Sequence, residues 1–169
     1  MCLIILAKKY NKQFPFIFAA NRDEFYERPT AKAEFWNEHP QILAGKDLKE
    51  GGTWLGITKA GKFAAITNYR DFNSIKDSAP SRGNIVKNFL VNKVWTKDYS
   101  AQLISDGKKY NGFNLIYGNL DSLNYYSNVT NGFEEIPDGI HGLSNHLLNT
   151  PWPKVELGKE KIKSILNQI

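Results

Sequence analysis

Short runs of apolar residues, separated by polar turn residues, recur along this chain up to residue 127. Such runs predict β-strands, and a short polar link between two of them predicts an antiparallel hairpin. Three hairpins are predicted on this pattern, formed by residues 2–8 with 14–20, 53–58 with 62–67, and 113–117 with 122–127. A further extended segment is predicted at 43–47, and a short strand or loop at 139–144.

Other segments repeat their apolar positions at the spacing of an amphipathic helix. They cover residues 84–94, 100–109 and 155–169. Ser81 is the predicted N-cap of the first helix, and Leu103 and Ile104 are the predicted inward residues of the second. Strands, then helices, then strands and a final helix predict an α+β fold with antiparallel sheets rather than alternating βαβ units.

The composition is that of one soluble domain, and it argues against nucleic-acid-binding, membrane-spanning, disulfide-stabilised and metal-binding proteins. The chain has 169 residues, 41% of them hydrophobic, which suits a single domain over residues 1–169. The net charge of +5 is spread along the chain without a nucleic-acid module, so no nucleic-acid partner is expected. No apolar run approaches the about 20 residues that span a membrane, so we expect no integral membrane segment and a cytoplasmic location. One cysteine and three scattered histidines predict neither disulfides nor a metal site, and no cofactor is expected.

The only cysteine of the chain, Cys2, directly follows the initiator Met1. Removal of Met1 would place a free α-amine on the carbon that carries the thiol. The amine titrates near about 7.7–8.0 and the thiol near about 8.5, so the amine can take the thiol's proton without a histidine. Cys2 is therefore a candidate N-terminal nucleophile. The alternative is that Cys2 is a small buried hydrophobe at the start of the first strand.

Polar clusters follow several of the apolar strands. In residues 21–24, Arg22 would either stabilise the Cys2 thiolate by its charge or orient the Cys2 α-amine through an intermediate group, and Asp23 would accept hydrogen bonds from the α-ammonium group. The hairpin at residues 2–20 returns this cluster to the side of Cys2. Asn68 and Asn145 lie in two further clusters, where their amides are suitable donors to an oxyanion. A solvated turn is the alternative in each case.

Several short motifs together carry a family resemblance. They are MCL at residues 1–3, ANRDEF at 20–25, GGTWLG at 51–56, TNYR at 67–70, SRG at 81–83 and GLSN at 142–145. In this order they resemble the NRDE family, also called the transport and Golgi organisation 2 family, from residue 1 to about residue 154. That family is similar to N-terminal nucleophile hydrolases of the choloylglycine hydrolase and penicillin V acylase type.

The resemblance implies an αββα sandwich that hydrolyses a carbon–nitrogen amide bond of a small molecule. Cys2 resembles the nucleophile, Arg22 and Asp23 the supporting pair, and Asn68 and Asn145 the oxyanion donors. Arg22 and Asp23 are adjacent here, whereas the hydrolases space the pair further apart. Family members run further, with a Gly-Thr-Arg-Ser-like strand near their end, so the sandwich is expected to be incomplete at its C-terminus.

The resemblance also implies an alternative without catalysis, because eukaryotic relatives are associated with membrane traffic, lipid metabolism and haem movement. On this hypothesis the protein binds or carries haem or another hydrophobic anion. His141, His146 and Cys2 are the candidate axial ligands, and no Cys-Pro dipeptide accompanies them. The expected partner is thus a small-molecule amide or a hydrophobic anion.

Overall fold

Two antiparallel sheets and three helices make up the computed structural model, which describes residues 2–71, 75–92 and 96–169. The strands are β1 Leu3–Lys8, β2 Phe16–Asn21, β3 Thr30–Trp36, β4 His39–Asp47, β5 Leu55–Thr58, β6 Phe63–Asn68, β7 Phe113–Gly118, β8 Leu123–Ser127, β9 Gly132–Glu135 and β10 Gly139–Leu143. The helices are α1 Gly83–Val91, α2 Thr96–Asp106 and α3 Pro153–Leu166, and a 3-10 turn at Gly107–Lys109 follows α2.

The small sheet has the strand order β10-β1-β2, with β1 in the centre. Its register pairs Leu3 with Asn21 on one side and Ile4 with Leu143 on the other. Continued by one or two residues, this antiparallel register brings positions 22 and 145 opposite position 2. The start of β1 and the ends of β2 and β10 therefore meet at one edge of the sheet.

The large sheet runs β3 to β9 in sequence order, so each strand pairs with its neighbours along the chain. Alternate residues of its strands face opposite sides. Phe63 and Ala65 of β6 pack in the core between the two sheets, whereas Ala64 and Ile66 pack against the helices α1 and α2. The large sheet thus separates two hydrophobic cores.

Helix α3 covers the outer face of the small sheet and completes the αββα order of layers. Its close approach depends on glycine, because a Cβ added to Gly142 of β10 would lie 2.5 Å from Cγ1 of Val155. On the opposite face of the sheet, Ile4 and Leu6 of β1 enter the core between the sheets. Cys2 has the same parity as these residues, so the pleat directs it toward the space between the sheets.

The predicted α+β class, the antiparallel sheets and all three hairpins are confirmed by this arrangement. The extended segment at 43–47 is the second half of the longer strand β4. The edge strands β3 and β9 were not predicted. Most of their residues are exposed, so they lack the apolar alternation by which a half-buried strand is recognised.

Two details of the predicted helices are wrong. Arg82 rather than Ser81 is the N-cap of α1, and it makes no side-chain cap hydrogen bond. In α2, Leu103 is buried as predicted, but Ile104 is 43% exposed and Tyr99 fills the inward position instead. The predicted first helix was longer, and its last two residues, 93 and 94, lie outside the described residues.

Candidate active site around Cys2

Cys2 lies half-buried immediately before β1, where its backbone is fixed by two side chains. The Ser144 hydroxyl donates a 2.7 Å hydrogen bond to the Cys2 carbonyl oxygen, and the Lys154 ammonium group donates a second one of 3.2 Å. Ser144 directly follows β10, and Lys154 lies in the first turn of α3. The backbone of Cys2 is therefore held by residues next to or within two elements that are far from it in sequence.

The ends of β6 and β10, which belong to different sheets, are joined beside Cys2. The Thr67 hydroxyl donates to the carbonyl oxygen of Ser144 at 2.9 Å. The Asn145 amide donates to the carbonyl oxygen of Asn68 at 3.0 Å, and the Arg70 N–H donates to the carbonyl oxygen of Asn145 at 2.9 Å. These bonds bring two of the sequence motifs together at the edge where Cys2 lies.

Two cavities meet at Cys2. The larger cavity, of about 950 Å³, lies between β2 of the small sheet and β4 to β6 of the large sheet. The smaller cavity, of about 320 Å³, is lined mainly by the loops that follow β6 and precede β7. The residues that line both cavities are Cys2, Asp23, Asn68, Arg82 and Asn111. The thiol thus has one compartment on either side.

The larger cavity has an apolar wall formed by Phe16, Phe18, Leu55 and Phe63. The rings of Phe16 and Phe18 pack edge-on against Phe63, with centroid distances of 5.3 and 4.8 Å. Packed aromatic rings of this kind hold their positions and present an extensive apolar surface. The larger cavity can therefore take an apolar group that is much longer than a single side chain.

Charged side chains form a row along the rim of the larger cavity, in which the sign alternates. Arg22 donates a 2.7 Å hydrogen bond to Glu24, and Glu24 lies 4.0 Å from Arg28. Arg28 in turn donates hydrogen bonds from two of its nitrogens to one carboxylate oxygen of Asp47, at 3.0 and 2.5 Å. Each of these arginines is matched by a carboxylate, so the row holds the loop after β2 in place without a surplus of charge.

Burial raises the pKa of the Cys2 thiol above its ordinary value. The positive charges of Arg22 and Lys154 act in the opposite direction, and Glu24 adds to the rise, but burial is the largest effect. In the chain that still carries Met1, Arg22 thus favours the thiolate, but burial has the larger effect on the pKa of the thiol. In that chain the thiol is protonated at neutral pH.

All five predicted site residues line at least one of the two cavities. Cys2, Asp23 and Asn68 line both, whereas Arg22 lines only the larger and Asn145 only the smaller. Asn68 is exposed, and its side-chain amide makes no hydrogen bond within the described part of the chain.

Two of the five residues are already engaged in hydrogen bonds. One N–H of the buried Asn145 amide is used by Asn68, which leaves its second N–H. Asp23 accepts a 2.9 Å hydrogen bond from the Asn21 amide. Asn68 is therefore the donor with more freedom to move toward a ligand.

Sequence reasoning did not assign a role to Ser144, Lys154 or Arg82, although all three lie at this site. Ser144 and Arg82 fall within the GLSN and SRG motifs, so the motifs were the available signal. Lys154 has no such signal, because only the packing of α3 against β1 and β10 brings it to Cys2.

The two histidines proposed as haem ligands lie away from both cavities, since no histidine of the described chain lines either one. Nε2 of His141 donates to the Pro137 carbonyl at 3.0 Å, and its Nδ1 accepts from the Asn149 amide at 3.0 Å. Burial lowers the pKa of His141, so the ring is neutral with both nitrogens occupied. Nδ1 of His146 is bonded to Thr150 at 2.9 Å.

The described residues contain no group of three or more His, Cys, Asp or Glu side chains that could hold a metal ion. None of the helices described has the length and apolarity that crossing a membrane requires.

Comparison with known proteins gives matches over most or all of the chain. The transport and Golgi organization protein 2 homolog of Homo sapiens is 44% identical over 155 residues, or 85% of this chain and 55% of its own length. The Mus musculus homolog is 42% identical over 90% of this chain and 58% of its own length. Transport and Golgi organization protein 2 of Drosophila melanogaster is 31% identical over 98% of this chain and 65% of its own. The chain thus spans little more than half the length of the mammalian relatives.

Among solved structures, a penicillin V acylase from Agrobacterium tumefaciens aligns with the whole chain and 57% of its own, with a TM-score of 0.38 and 11% identity. The family model for transport and Golgi organisation 2 matches residues 1–169. This chain belongs to the transport and Golgi organisation 2 family.

Proposed function

We propose that the protein is an N-terminal cysteine hydrolase that cleaves a carbon–nitrogen amide bond in a small amphipathic molecule. The observation that carries the proposal is the place of Cys2, which lines both cavities at the edge where β1, β2, β6 and β10 meet. An amide bound across this boundary would have one half in each cavity and its carbonyl group beside the thiol. Substrate positioning of this kind supplies much of the rate enhancement of an enzyme.

In the first half of the reaction, Cys2 attacks the amide carbonyl carbon. Removal of Met1 frees the Cys2 α-amine, which takes the thiol proton as the carbon–sulfur bond forms. The carbonyl oxygen becomes an oxyanion, and its donors on this proposal are the side-chain amides of Asn68 and Asn145, which line the cavities that meet at Cys2. When the carbon–nitrogen bond breaks, the α-ammonium group returns the proton to the leaving amine, and a thioester remains on Cys2.

In the second half, water hydrolyses the thioester. The neutral α-amine takes a proton from the water, whose oxygen bonds to the acyl carbon and expels the thiolate. The α-ammonium group returns this proton to the thiolate, the acid leaves and the thiol is restored, so one water is consumed for each amide. Arg22 and Asp23 stabilise the charged groups that form during the reaction. Arg22 stabilises the thiolate, and Asp23 accepts a hydrogen bond from the α-ammonium group.

The two compartments favour different halves of the substrate. The apolar wall of Phe16, Phe18, Leu55 and Phe63 suits the acyl chain. The smaller cavity contains Tyr69, Arg70 and Asn111 and suits a polar amine. Because apolar surface contributes roughly 25 cal/mol per Å² buried, a long acyl chain would supply most of the binding energy.

The direct test compares two forms of the protein that differ by one residue. In one form protease cleavage leaves Cys2 as the N-terminal residue, and in the other a single glycine precedes it. N-decanoyl-p-nitroanilide is the amide probe, and release of p-nitroaniline is followed by absorbance. We expect turnover only with the free Cys2 amine, and no turnover in Cys2→Ala. Equal rates in the two forms would rule out the role of the α-amine.

The second candidate function, binding of a hydrophobic anion without catalysis, is favoured by the volume and the apolar wall of the larger cavity. On this account Cys2 is a packing residue. His141 and His146 line neither cavity, so Cys2 is the one of the three candidate axial ligands that a haem bound there would meet. A fatty acid that binds equally well to the parent protein and to Cys2→Ala, with no amide turned over, would favour the carrier.

A further inference from the structure

Among the described residues, Arg82 has no carboxylate partner, unlike the other two arginines of the larger cavity. Arg22 pairs with Glu24 and Arg28 pairs with Asp47, but in the described residues no acidic side chain forms an ion pair with Arg82. A guanidinium group carries five N–H donors. Within the part of the chain that the structure describes, the Arg82 side chain makes one hydrogen bond, which it donates to the Gly112 carbonyl oxygen at 3.0 Å.

The surroundings of Arg82 leave it partly buried, and burial lowers its pKa. Arg28 lowers that pKa further, while Glu24 and Cys2 act to raise it. A cation that is partly removed from water without a counter-ion is costly, and an anionic ligand would relieve that cost. Arg82 also lines both cavities, so such a ligand would reach it from either side of Cys2.

The backbone that carries Arg82 is held by a close contact between two motifs. Arg82 is the N-cap of α1, and the next residue, Gly83, accepts a 3.2 Å hydrogen bond from the Thr53 N–H. A Cβ added to Gly52 would lie only 2.5 Å from the carbonyl carbon of Gly83. The GGTW turn and the SRG segment therefore form one unit that fixes the start of the Arg82 side chain.

We propose that Arg82 binds a carboxylate group of the ligand, so that the preferred ligand is an apolar chain with a carboxylate next to its amide. The single positive charge of the Arg82 guanidinium would be balanced by one negative charge on the ligand, and its planar fork of N–H donors suits a carboxylate. The apolar part lies along Phe16, Phe18 and Phe63, and the carboxylate lies beside Cys2 on the side of Gly112. The position of the amide rests on the proposed function, whereas binding of the carboxylate does not require hydrolysis.

The test measures binding in the Cys2→Ala protein, which cannot form a thioester. The probes are N-decanoylglycine and its methyl ester, which have the same chain and amide but differ in charge. Isothermal titration calorimetry gives the dissociation constant of each. We expect the acid to bind more tightly than the ester, and Arg82→Gln to weaken binding of the acid by about tenfold or more while the ester changes little.

Three controls make the result specific to Arg82. Lys161→Gln removes one positive charge from an exposed position of α3 and should leave both dissociation constants unchanged. Arg82→Lys keeps the positive charge but lacks the planar fork of guanidinium donors, so it should bind the acid in preference to the ester by a smaller factor than the parent does. If Arg82→Gln does not fold, Arg82→Lys still tests the proposal. Decanoate tests whether the carboxylate belongs to a free fatty acid. If Arg82→Gln weakens binding of decanoate as much as it weakens binding of N-decanoylglycine, the site is assigned to a free fatty acid.

Either of two results would overturn the proposal. The first is a preference for the acid that is the same in the parent, Arg82→Gln and Arg82→Lys. The second is no measurable binding of N-decanoylglycine at the highest soluble concentration. Because Cys2 is absent from this experiment, failure of the hydrolase hypothesis leaves the outcome unaffected, and the two can be judged separately.

Discussion

At the level of single residues, the chemistry of the site depends on how burial and charge act on the Cys2 thiol. Burial raises its pKa and outweighs the nearby positive charges of Arg22 and Lys154. A thiol in this state is a poor nucleophile at neutral pH, because only the thiolate attacks. The α-amine freed by loss of Met1 would change this balance, since the neutral amine is a base beside the sulfur and its protonated form places a positive charge there. A raised thiol pKa slows attack in the unprocessed chain, and processing would speed it.

The first prediction concerns alkylation of Cys2 by iodoacetamide in the form with one glycine before it. Because burial raises the pKa, labelling at pH about 7 should be slower than that of a free thiol of pKa about 8.5, and should rise toward higher pH. Arg22→Ala removes a charge that lowers the pKa, so it should slow labelling further.

The control for this prediction is Lys12→Ala, which removes an exposed charge at the distant turn of the first hairpin. It should leave the labelling rate unchanged. Labelling faster than the free thiol, or equal rates in Arg22→Ala and the parent, would contradict the account of the Cys2 pKa.

At the level of elements, the turn between β4 and β5 connects the charged row to α1. One oxygen of Asp47 accepts backbone hydrogen bonds from Lys49 and Glu50, and the other is held by Arg28. The turn then passes Gly52, which lies against the backbone of Gly83 at the start of α1. The loop after β2, the turn between β4 and β5, and helix α1 are thus in contact one after another, and Arg82 is the N-cap of that helix.

A second prediction follows from the contact at Gly52. Gly52→Ala places a methyl group against the Gly83 backbone, so we expect a loss of about 1–3 kcal/mol in the free energy of unfolding, measured with urea. Gly51→Ala meets no neighbouring atom, but its φ of +69° is unfavourable for alanine, so a loss of about 1 kcal/mol is expected. Only Gly52→Ala should also weaken binding of N-decanoylglycine, because only it displaces Arg82.

A third prediction concerns pH and the Asp47 carboxyl group. Burial acts to raise the pKa of Asp47, but the hydrogen bonds from Arg28 and from the turn outweigh it and hold the pKa below its usual value. A carboxyl group with a lowered pKa in the folded state stabilises the fold above its unfolded pKa of about 3.9, and this stabilisation is lost as pH falls through the folded value.

Urea unfolding of the parent and of Asp47→Asn at several pH values tests this prediction. The parent should be more stable at neutral pH, and the difference should shrink below pH about 4. Asp121→Asn, at an exposed position whose side chain is 86% accessible, is the control and should show no such difference. A constant difference between parent and Asp47→Asn at all pH values would contradict the assignment.

At the level of the whole molecule, the core between the two sheets holds the site together. Ile116 of β7 is fully buried there. We expect Ile116→Ala to lower the free energy of unfolding by about 2–5 kcal/mol in one cooperative transition. Ile165→Ala, at a position that is 58% exposed on α3, should change it by no more than about 0.5 kcal/mol. Similar effects of the two substitutions would show that the sheets do not pack as described.

The sequence allowed the hairpins and the α+β class to be predicted, because their strands bury one face or both and show it in their apolar patterns. The edge strands β3 and β9 show no such pattern, since most of their residues are exposed. The site was predictable as far as the register of β1 with β2 could place residues 22 and 23 beside Cys2. The contributions of Ser144, Lys154 and Arg82 arise from packing between elements distant in sequence, which local patterns do not contain.

The central claim, that Cys2 forms a thioester with an acyl group, is tested most directly by intact-mass spectrometry. Protein with Cys2 at its N-terminus is mixed with N-decanoyl-p-nitroanilide and quenched in acid within the first turnover. The account predicts a mass increase equal to one decanoyl group, which hydroxylamine removes and which is absent in Cys2→Ala. Release of p-nitroaniline without any such adduct, or an adduct that persists in Cys2→Ala, would contradict it.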